Sequence, residues 1–347
     1  MFQQKTILPF ASQDRGQEHN FPGDVLRLSD EPARYWSDHR IHKALSADPS
    51  GFIEFMTEGL QAVANGSAHI DMPPKQIFAD ECIEGDSSGD SPGDFRIMPC
   101  VLRWGARHWK TVKVVGTNYA QRVVPDKITV GKALVLHPEE NFVTDIIDAC
   151  ILSSARTGAC AVIAANALGA SRERVAIVGS GRVGFYAALY LCAQGGVSML
   201  AFHDSVAQRA TLAAQALAAI FPDIEIIARS GDPDADLVIS ATTSTRPLLH
   251  PGRTLASTVI SLGADTDEQR ELDPAWRQEA DLYVESIDSL RYGDLKHWGV
   301  SVGEVTELSR LLVSGRQAAQ GRSVFISTGS ALFDNLAIGY LLENAAL

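Results

Sequence analysis

The chain has 347 residues, enough for two folded domains, and its 46% hydrophobic and 21% charged residues match a globular protein. A formal net charge of −12 argues against nucleic acid or an anionic membrane as a main partner, but leaves room for a local basic pocket. No run of about 18 apolar residues is visible, so no membrane span is expected. The polar N-terminal stretch lacks a signal-peptide core, which makes the cytoplasm the expected location. Five scattered cysteines (Cys82, Cys100, Cys150, Cys160, Cys192) form no CxxC, so neither a metal site nor a disulfide framework is expected.

Residues 1–24 show little apolar periodicity, and Val25 to Leu28 reads as a short strand. Asp48 to Ala64 has Phe52, Phe55, Met56, Leu60 and Val63 at helical spacing, with a stop at Gly66. Met72-Pro73-Pro74-Lys75 must be extended, because each proline turns its predecessor away from helix. Residues 84–94 are acidic and rich in Gly and Ser, a solvated loop with no role assigned. Arg96 to Trp104 and Trp109 to Val115 read as strands around a turn at Gly105, and Ile128 to Leu136 as a third. Thr144 to Leu168 is Ala-rich and expected to be one long helix, the hinge between domains.

The next stretch carries the strongest local signal. Val175 to Val178 is a buried strand, followed by Gly179, Gly181 and Gly184 in G-x-G-x-x-G spacing. A helix over Phe185 to Ala193 and a second strand over Val197 to Phe202 follow, and Asp204 ends the unit. Gly179 permits the tight turn, Gly181 lets a pyrophosphate approach the backbone, and Gly184 lets the helix pack on the sheet. The helix N-terminus then offers free N–H groups to phosphate. Asp204 stands where an acid accepts both ribose hydroxyls and repels a 2′-phosphate, so the expected cofactor is NAD rather than NADP. Arg182 reads equally as a phosphate contact or a solvated side chain. Gln208 to Ile220 (helix) and the runs Ile224 to Ala228, Asp236 to Ser240, Thr258 to Leu262 and Leu282 to Val284 (strands) continue the alternation. This predicts an α/β fold, a Rossmann doubly wound parallel sheet, with ligands beyond the carboxyl ends of its strands. Thr242 to Thr245, Gly263 to Asp265 and Glu285 fall there, and Ser330 to Ala346 is a final helix.

Several ordered stretches together resemble one family. Met98-Pro99, Lys113, R-T-G-A at Arg156 to Ala159, GSGRVG, S-A-T-T-S at Ser240 to Ser244, G-A-D…E-L-D at Gly263 to Asp273, and S-T-G-S-A-L-F-D at Ser327 to Asp334 occur in the order of the ornithine cyclodeaminase/μ-crystallin family. The resemblance spans about residues 50–345. It implies hydride transfer between nicotinamide and the Cα of an amino acid through an imine, in a two-domain homodimer. Residues 1–145 and 318–347 would form an α+β substrate and dimerisation domain, and 146–317 the NAD domain.

Position by position, the resemblance implies catalytic roles for Lys113 and Asp265. Lys113 would hold the substrate carboxylate or move a proton, and Asp265 would act on the amino group or on water. Arg156 would bind the carboxylate as a planar fork, with Met98 and Lys75 beside it. Lys75 stands near the family's P-x-R arginine, a change that keeps charge and alters geometry. Cofactor contacts are implied for Thr157, Gly179, Ser180, Gly181, Arg182, Val183, Gly184, His203, Asp204, Ala241, Thr242, Thr243, Ser327 and Gly329.

One departure stands out. The cyclodeaminases carry an acid two residues before the Met-Pro methionine, where this chain has Arg96. A cation there repels the ammonium of ornithine and attracts a further carboxylate, unless Arg96 faces solvent on an edge strand. The pattern looks similar to the branch that splits a carboxyethyl-glutamate adduct to give 2,3-diaminopropionate for siderophores. The alternatives are a cyclodeaminase with internally recycled NAD, a ketimine reductase, and a non-catalytic crystallin-like NAD-binding protein. The expected ligand in each catalytic case is a small amino-acid substrate.

Overall fold

The computed structural model describes residues 32–79, 93–117, 124, 129–315 and 321–344. The expected strand at Val25 to Leu28 and nearly all of the acidic 84–94 segment lie outside these residues.

The first half builds an antiparallel sheet. Its strands are β1 (Arg34–Trp36), β2 (Ala68–Asp71), β3 (Gln76–Ala79), β4 (Asp94–Trp104), β5 (Arg107–Thr117), β6 (Thr129–Leu136) and β7 (Val143–Asp148), in the order β1-β7-β6-β5-β4 with β2 and β3 both on the far side of β4. β1 runs parallel to β7 and the other pairings are antiparallel. Side chains alternate strictly: Arg96, Met98, Cys100 and Leu102 of β4 point inward, as do Trp109, Thr111, Lys113 and Val115 of β5. Met98 pairs with Lys113 in register, so the period of two sets Arg96, Met98 and Lys113 on one face.

Two helices, α1 (Asp38–Ala47) and α2 (Pro49–Ala64), precede β2. Asp48 caps α2 by accepting from the Gly51 N–H at 2.9 Å, with Pro49 at the first helical position. Such a cap stabilises by about 1 kcal/mol. The expected helix from Thr144 is shorter than the sequence implies. Val143–Asp148 is strand β7, and α3 covers Ala149–Ala167. Pairing with β1 and β6 overrides the helical composition of T-D-I-I-D. By length and composition α3 could cross a membrane, contrary to the expectation from the sequence, but it is a core helix of small residues, buried along most of its length, chiefly against the helix over Arg182–Gln194.

The second half is a doubly wound parallel sheet. Strands β8 (Arg174–Val178), β9 (Met199–His203), β10 (Glu225–Arg229), β11 (Leu237–Ser240), β13 (Thr258–Ser261), β15 (Ala280–Val284), β16 (Val305–Glu307) and β17 (Arg322–Ile326) lie in the order β10-β9-β8-β11-β13-β17-β15-β16, all parallel. β12 (Thr245–Leu249) and β14 (Arg270–Leu272) form a separate parallel pair. Helices α4 (Arg182–Gln194) and α5 (Ala207–Ala218) follow β8 and β9. Short helices α6 (Trp276–Glu279), α7 (Gly293–Trp298) and α8 (Leu308–Ser314) precede β17, and α9 (Ala331–Asn344) ends the described chain. The chain winds outward from β8 to β10 and returns to β11 on the other side, so the crevice between β8 and β11 is the topological switch point. β17 was not expected from the sequence. It belongs to the parallel sheet, so a domain boundary at 318 leaves one of that sheet's inner strands with the other half of the chain.

Candidate active site

The glycine turn sits at the mouth of the switch point. Gly179 has φ of +99°, and a Cβ there would lie 2.4 Å from the Ala241 carbonyl oxygen. A Cβ on Gly184 would lie 2.1 Å from the Gly179 carbonyl oxygen, whereas one on Gly181 would meet nothing within 4 Å. The outer two glycines therefore serve backbone packing, and the middle one faces open space that a pyrophosphate could occupy. α4 starts at Arg182 with Gly181 as its cap, three residues earlier than the sequence implies, so its first N–H groups face this space. Asp204 follows β9. One carboxylate oxygen accepts from the Ser180 N–H at 2.8 Å and the other from the Val206 N–H at 2.9 Å. It thus ties the glycine turn to the β9 end besides lining the cleft.

A second constellation faces the turn from the antiparallel sheet. Lys113 is 2% exposed, and its Nζ lies 2.6 Å from Oδ2 of Asp334 and 3.3 Å from the Ser153 hydroxyl. Arg156 of α3 places Nε 2.9 Å from Oδ1 of the same Asp334. Burial brings the Lys113 amine down to about 8, against the pull of Asp334. Burial also pushes Asp334 up, but Lys113 and Arg156 outweigh it and hold the carboxylate below its usual range. Lys75 donates to the Thr328 carbonyl at 2.8 Å and lies 4.0 Å over the Tyr292 ring. Burial lowers its amine to about 8 as well, with Asp265 opposing.

Arg96 does not face solvent. β4 has neighbours on both sides, and the side chain is 6% exposed. Its Nε and Nη2 meet the two oxygens of Asp94, each at 3.0 Å, and its Nη1 meets Asp265 at 2.7 Å. Burial works to raise Asp265, but Arg96 and Lys75 outweigh it, so this carboxylate also sits below its usual range. The charge of Arg96 is therefore compensated on two sides, and the repulsion of an ammonium expected from a lone cation is weakened.

Two further carboxylates organise the loops. Glu271, fully buried, accepts from the Thr242 N–H and hydroxyl, the Ser261 hydroxyl and the Gly263 N–H at 2.6–2.8 Å. It joins the ends of β11 and β13, β11 being one of the two strands that flank the switch point. Asp294 accepts the Glu271 and Leu272 N–H groups, and burial raises its carboxyl to about 7. Glu285 accepts the Ser327 hydroxyl and, at 3.0 Å, the Gly329 N–H.

One cleft of about 2140 Å³ connects these parts. Lys75, Arg96, Met98, Lys113, Arg156, Thr157, Gly179, Ser180, Gly181, Arg182, Val183, His203, Asp204, Ala241, Thr242, Thr243 and Asp265 all line it. Three sequence-implied positions do not. Gly184 is packed under the turn, while Ser327 and Gly329 are turned toward Glu285 and leave Thr328 on the wall. Thr328, between the two implied positions, is the residue of that segment that reaches the cleft. Asp334, Glu271 and Asp94 were not singled out. Asp334 and Glu271 lay within quoted motifs, which was the available signal. Asp94 ended an acidic run read as loop. Among the described residues no His, Cys, Asp and Glu side chains gather as a metal site, and Cys100, Cys150, Cys160 and Cys192 are buried free thiols.

A parallel doubly wound sheet with a glycine turn at its switch point, opposed by a sheet of buried cations, defines a Rossmann-type α/β protein with a composite cleft. The chain belongs to the ornithine cyclodeaminase/mu-crystallin family, whose model matches residues 39–346. It is 26% identical to an alanine dehydrogenase of Archaeoglobus fulgidus over 327 residues, 89% of this chain and 94% of that one. Among solved structures, the fold resembles the Δ1-pyrroline-2-carboxylate reductase of Thermococcus litoralis in complex with NADH and L-proline, with a TM-score of 0.76, 20% identity, and 90% and 97% of the two chains covered. The iminosuccinate reductase of Paracoccus denitrificans in complex with NAD+ gives 0.68 and 16%, over 86% and 92%.

Proposed function

We propose that the protein is an NAD-dependent oxidoreductase acting on the C–N bond of an amino acid, preferably an N-carboxyalkyl amino acid of the kind that yields 2,3-diaminopropionate. The observation that carries this reading is the continuity of the cleft from the glycine turn and Asp204 to Lys113, Arg156 and Asp265. The residues fit a dinucleotide: open space at Gly181, N–H groups at the start of α4, and an acid at the end of β9. When bound, NAD supplies the hydride acceptor. The chain does the rest. Lys113 and Arg156, two cations on one Asp334, hold a substrate carboxylate, and Lys75 holds another. Asp265 manages the proton of the substrate nitrogen and of the water that splits the imine into a 2-oxo acid and an amine. Overall, NAD+, a secondary amine and water give NADH, a proton, the oxo acid and the primary amine.

Residues 1–145 with the C-terminal helix would supply substrate binding and the dimer face, and 146–317 with β17 the cofactor. The outer face of the antiparallel sheet supports dimerisation, since Phe78 and Phe95 stack there at 4.6 Å and remain 44% exposed, as Val114 does at 40%. A sedimentation mass of one chain would exclude the dimer.

The decisive experiment mixes enzyme, NAD+ and candidate amines and follows NADH absorbance. Ammonia release without net NADH would favour the cyclodeaminase reading, which the compensated charge of Arg96 keeps as the second choice. The same assay run with NADP+ tests Asp204. Asp204→Ala should weaken the preference for NAD+ and raise KM for both cofactors, because Ser180 and Val206 lose their acceptor. An unchanged preference would remove Asp204 from the ribose site.

A further inference from the structure

We propose that Arg96 is a positioning residue that acts through Asp265: Asp94 clamps one edge of its guanidinium, and the far side aims the Asp265 carboxylate into the cleft. The inference rests on the proposed role of Asp265 as proton handler. It reassigns Arg96 away from direct carboxylate binding and gives Asp94 a function.

The geometry is that of a relay. Asp94 and Arg96 are two apart on β4, hence on one face. Both Asp94 oxygens engage the Nε–Nη2 edge at 3.0 Å, a fork that fixes the guanidinium plane. Thr117 of β5 donates to Asp94 at 2.6 Å and fixes the carboxylate in turn. Nη1 is spent on Asp265 at 2.7 Å, so all three guanidinium nitrogens are engaged before a substrate arrives. Exposure runs in the order the relay requires: the Arg96 side chain is 6% exposed and that of Asp265 35%. Both residues line the cleft, and the carboxylate is the more exposed of the two. Its own backbone N–H is held by the Gln269 side chain at 3.1 Å, so both ends of the residue are set.

The charged groups acting on Asp265 are Arg96 with Asp94 behind it, Lys75 above Tyr292 and Arg156 from α3, and Glu285 acts in turn on Lys75 and Arg156. All but Arg96 and Asp94 stay in place in the variants below.

The test follows the Asp265 carboxyl carbon by NMR in protein labelled with carbon-13 aspartate, the signal being identified by its loss in Asp265→Asn. In Arg96→Gln the titration midpoint should rise by about one pH unit or more, a tenfold gain in proton affinity. Arg96→Lys keeps the charge and should leave the midpoint near that of the wild type while kcat falls at little-changed KM, because the fork is lost. Asp94→Asn should also lower kcat at little-changed KM, with the midpoint at or below the wild-type value. A folded Arg96→Gln with an unmoved midpoint and a KM raised more than tenfold would overturn the inference and return Arg96 to the substrate. An unmoved midpoint with any other kinetics would also overturn it. Absence of turnover in the wild type would sink the proposed reaction, while the NMR titration would still decide whether Arg96 controls Asp265.

Discussion

Asp334→Ala should destabilise the protein by about 3–5 kcal/mol, the cost of leaving buried charge without its partner. Asp334 is 1% exposed and is the shared counter-charge of Lys113 and Arg156, which are themselves buried. Lys113 can escape by releasing its proton, whereas Arg156 cannot. The loss should therefore shrink as pH rises. In the variant the folded amine falls further below its unfolded value, so the unfolded state binds more protons and stability climbs with pH through that window. Urea unfolding at pH 6 and pH 9 measures both effects. A loss under about 1 kcal/mol at pH 6 would show that Asp334 carries little of the charge balance.

The second large effect concerns Lys113. Lys113→Met should lower kcat/KM by about 10²- to 10³-fold, since truncating a buried charge partner of a carboxylate costs several kcal/mol. The pH dependence is more telling. Lys113 and Lys75 are both brought down to about 8 by burial, Lys75 lowers Lys113 further, and Arg156 lowers both. As cations that grip carboxylates, both must stay protonated, so kcat/KM should fall as pH rises through about 8. Because both amines must be protonated, the fall at high pH can approach two protons instead of one. Lys113→Arg keeps a cation at all accessible pH and should reduce the fall to one proton, left to Lys75. A profile unchanged in Lys113→Arg would mean that Lys113 does not titrate in the working range.

Much of this site could be read from the chain because its signals are local. The strand, glycine turn, helix and acid from Arg174 to Asp204 lie in one stretch, and each residue type has its own steric reason. Lys113, Arg156 and Asp265 were visible through the resemblance, and they do meet in one cleft. What was hidden is relational. The period of Arg96 gives its face, but only the fold shows that β4 is flanked by β3 and β5 and that this face is buried. The partner of Lys113 lies at Asp334, far along the chain, and no spacing rule reaches it. Asp94 looked like the end of a solvated acidic run until pairing with Thr117 put it on a strand. β7 failed for the opposite reason: T-D-I-I-D runs into an Ala-rich helix without a breaker, and only tertiary pairing divides them.

The place of β17 bears on how the molecule comes into being. Among the described strands it follows all the others in the chain, yet it lies between β13 and β15, which were made earlier. A nascent chain emerging from the ribosome can align β8 to β13, but the β15–β16 pair has no link to that sheet until Arg322–Ile326 arrives. The counter-ion Asp334 arrives later still. Closure of this sheet is therefore a long-range, slow step that waits for Arg322–Ile326. The cleft is a product of completion: a chain stopped before β17 has its phosphate-binding turn, but neither a closed sheet nor a neutralised cation pair.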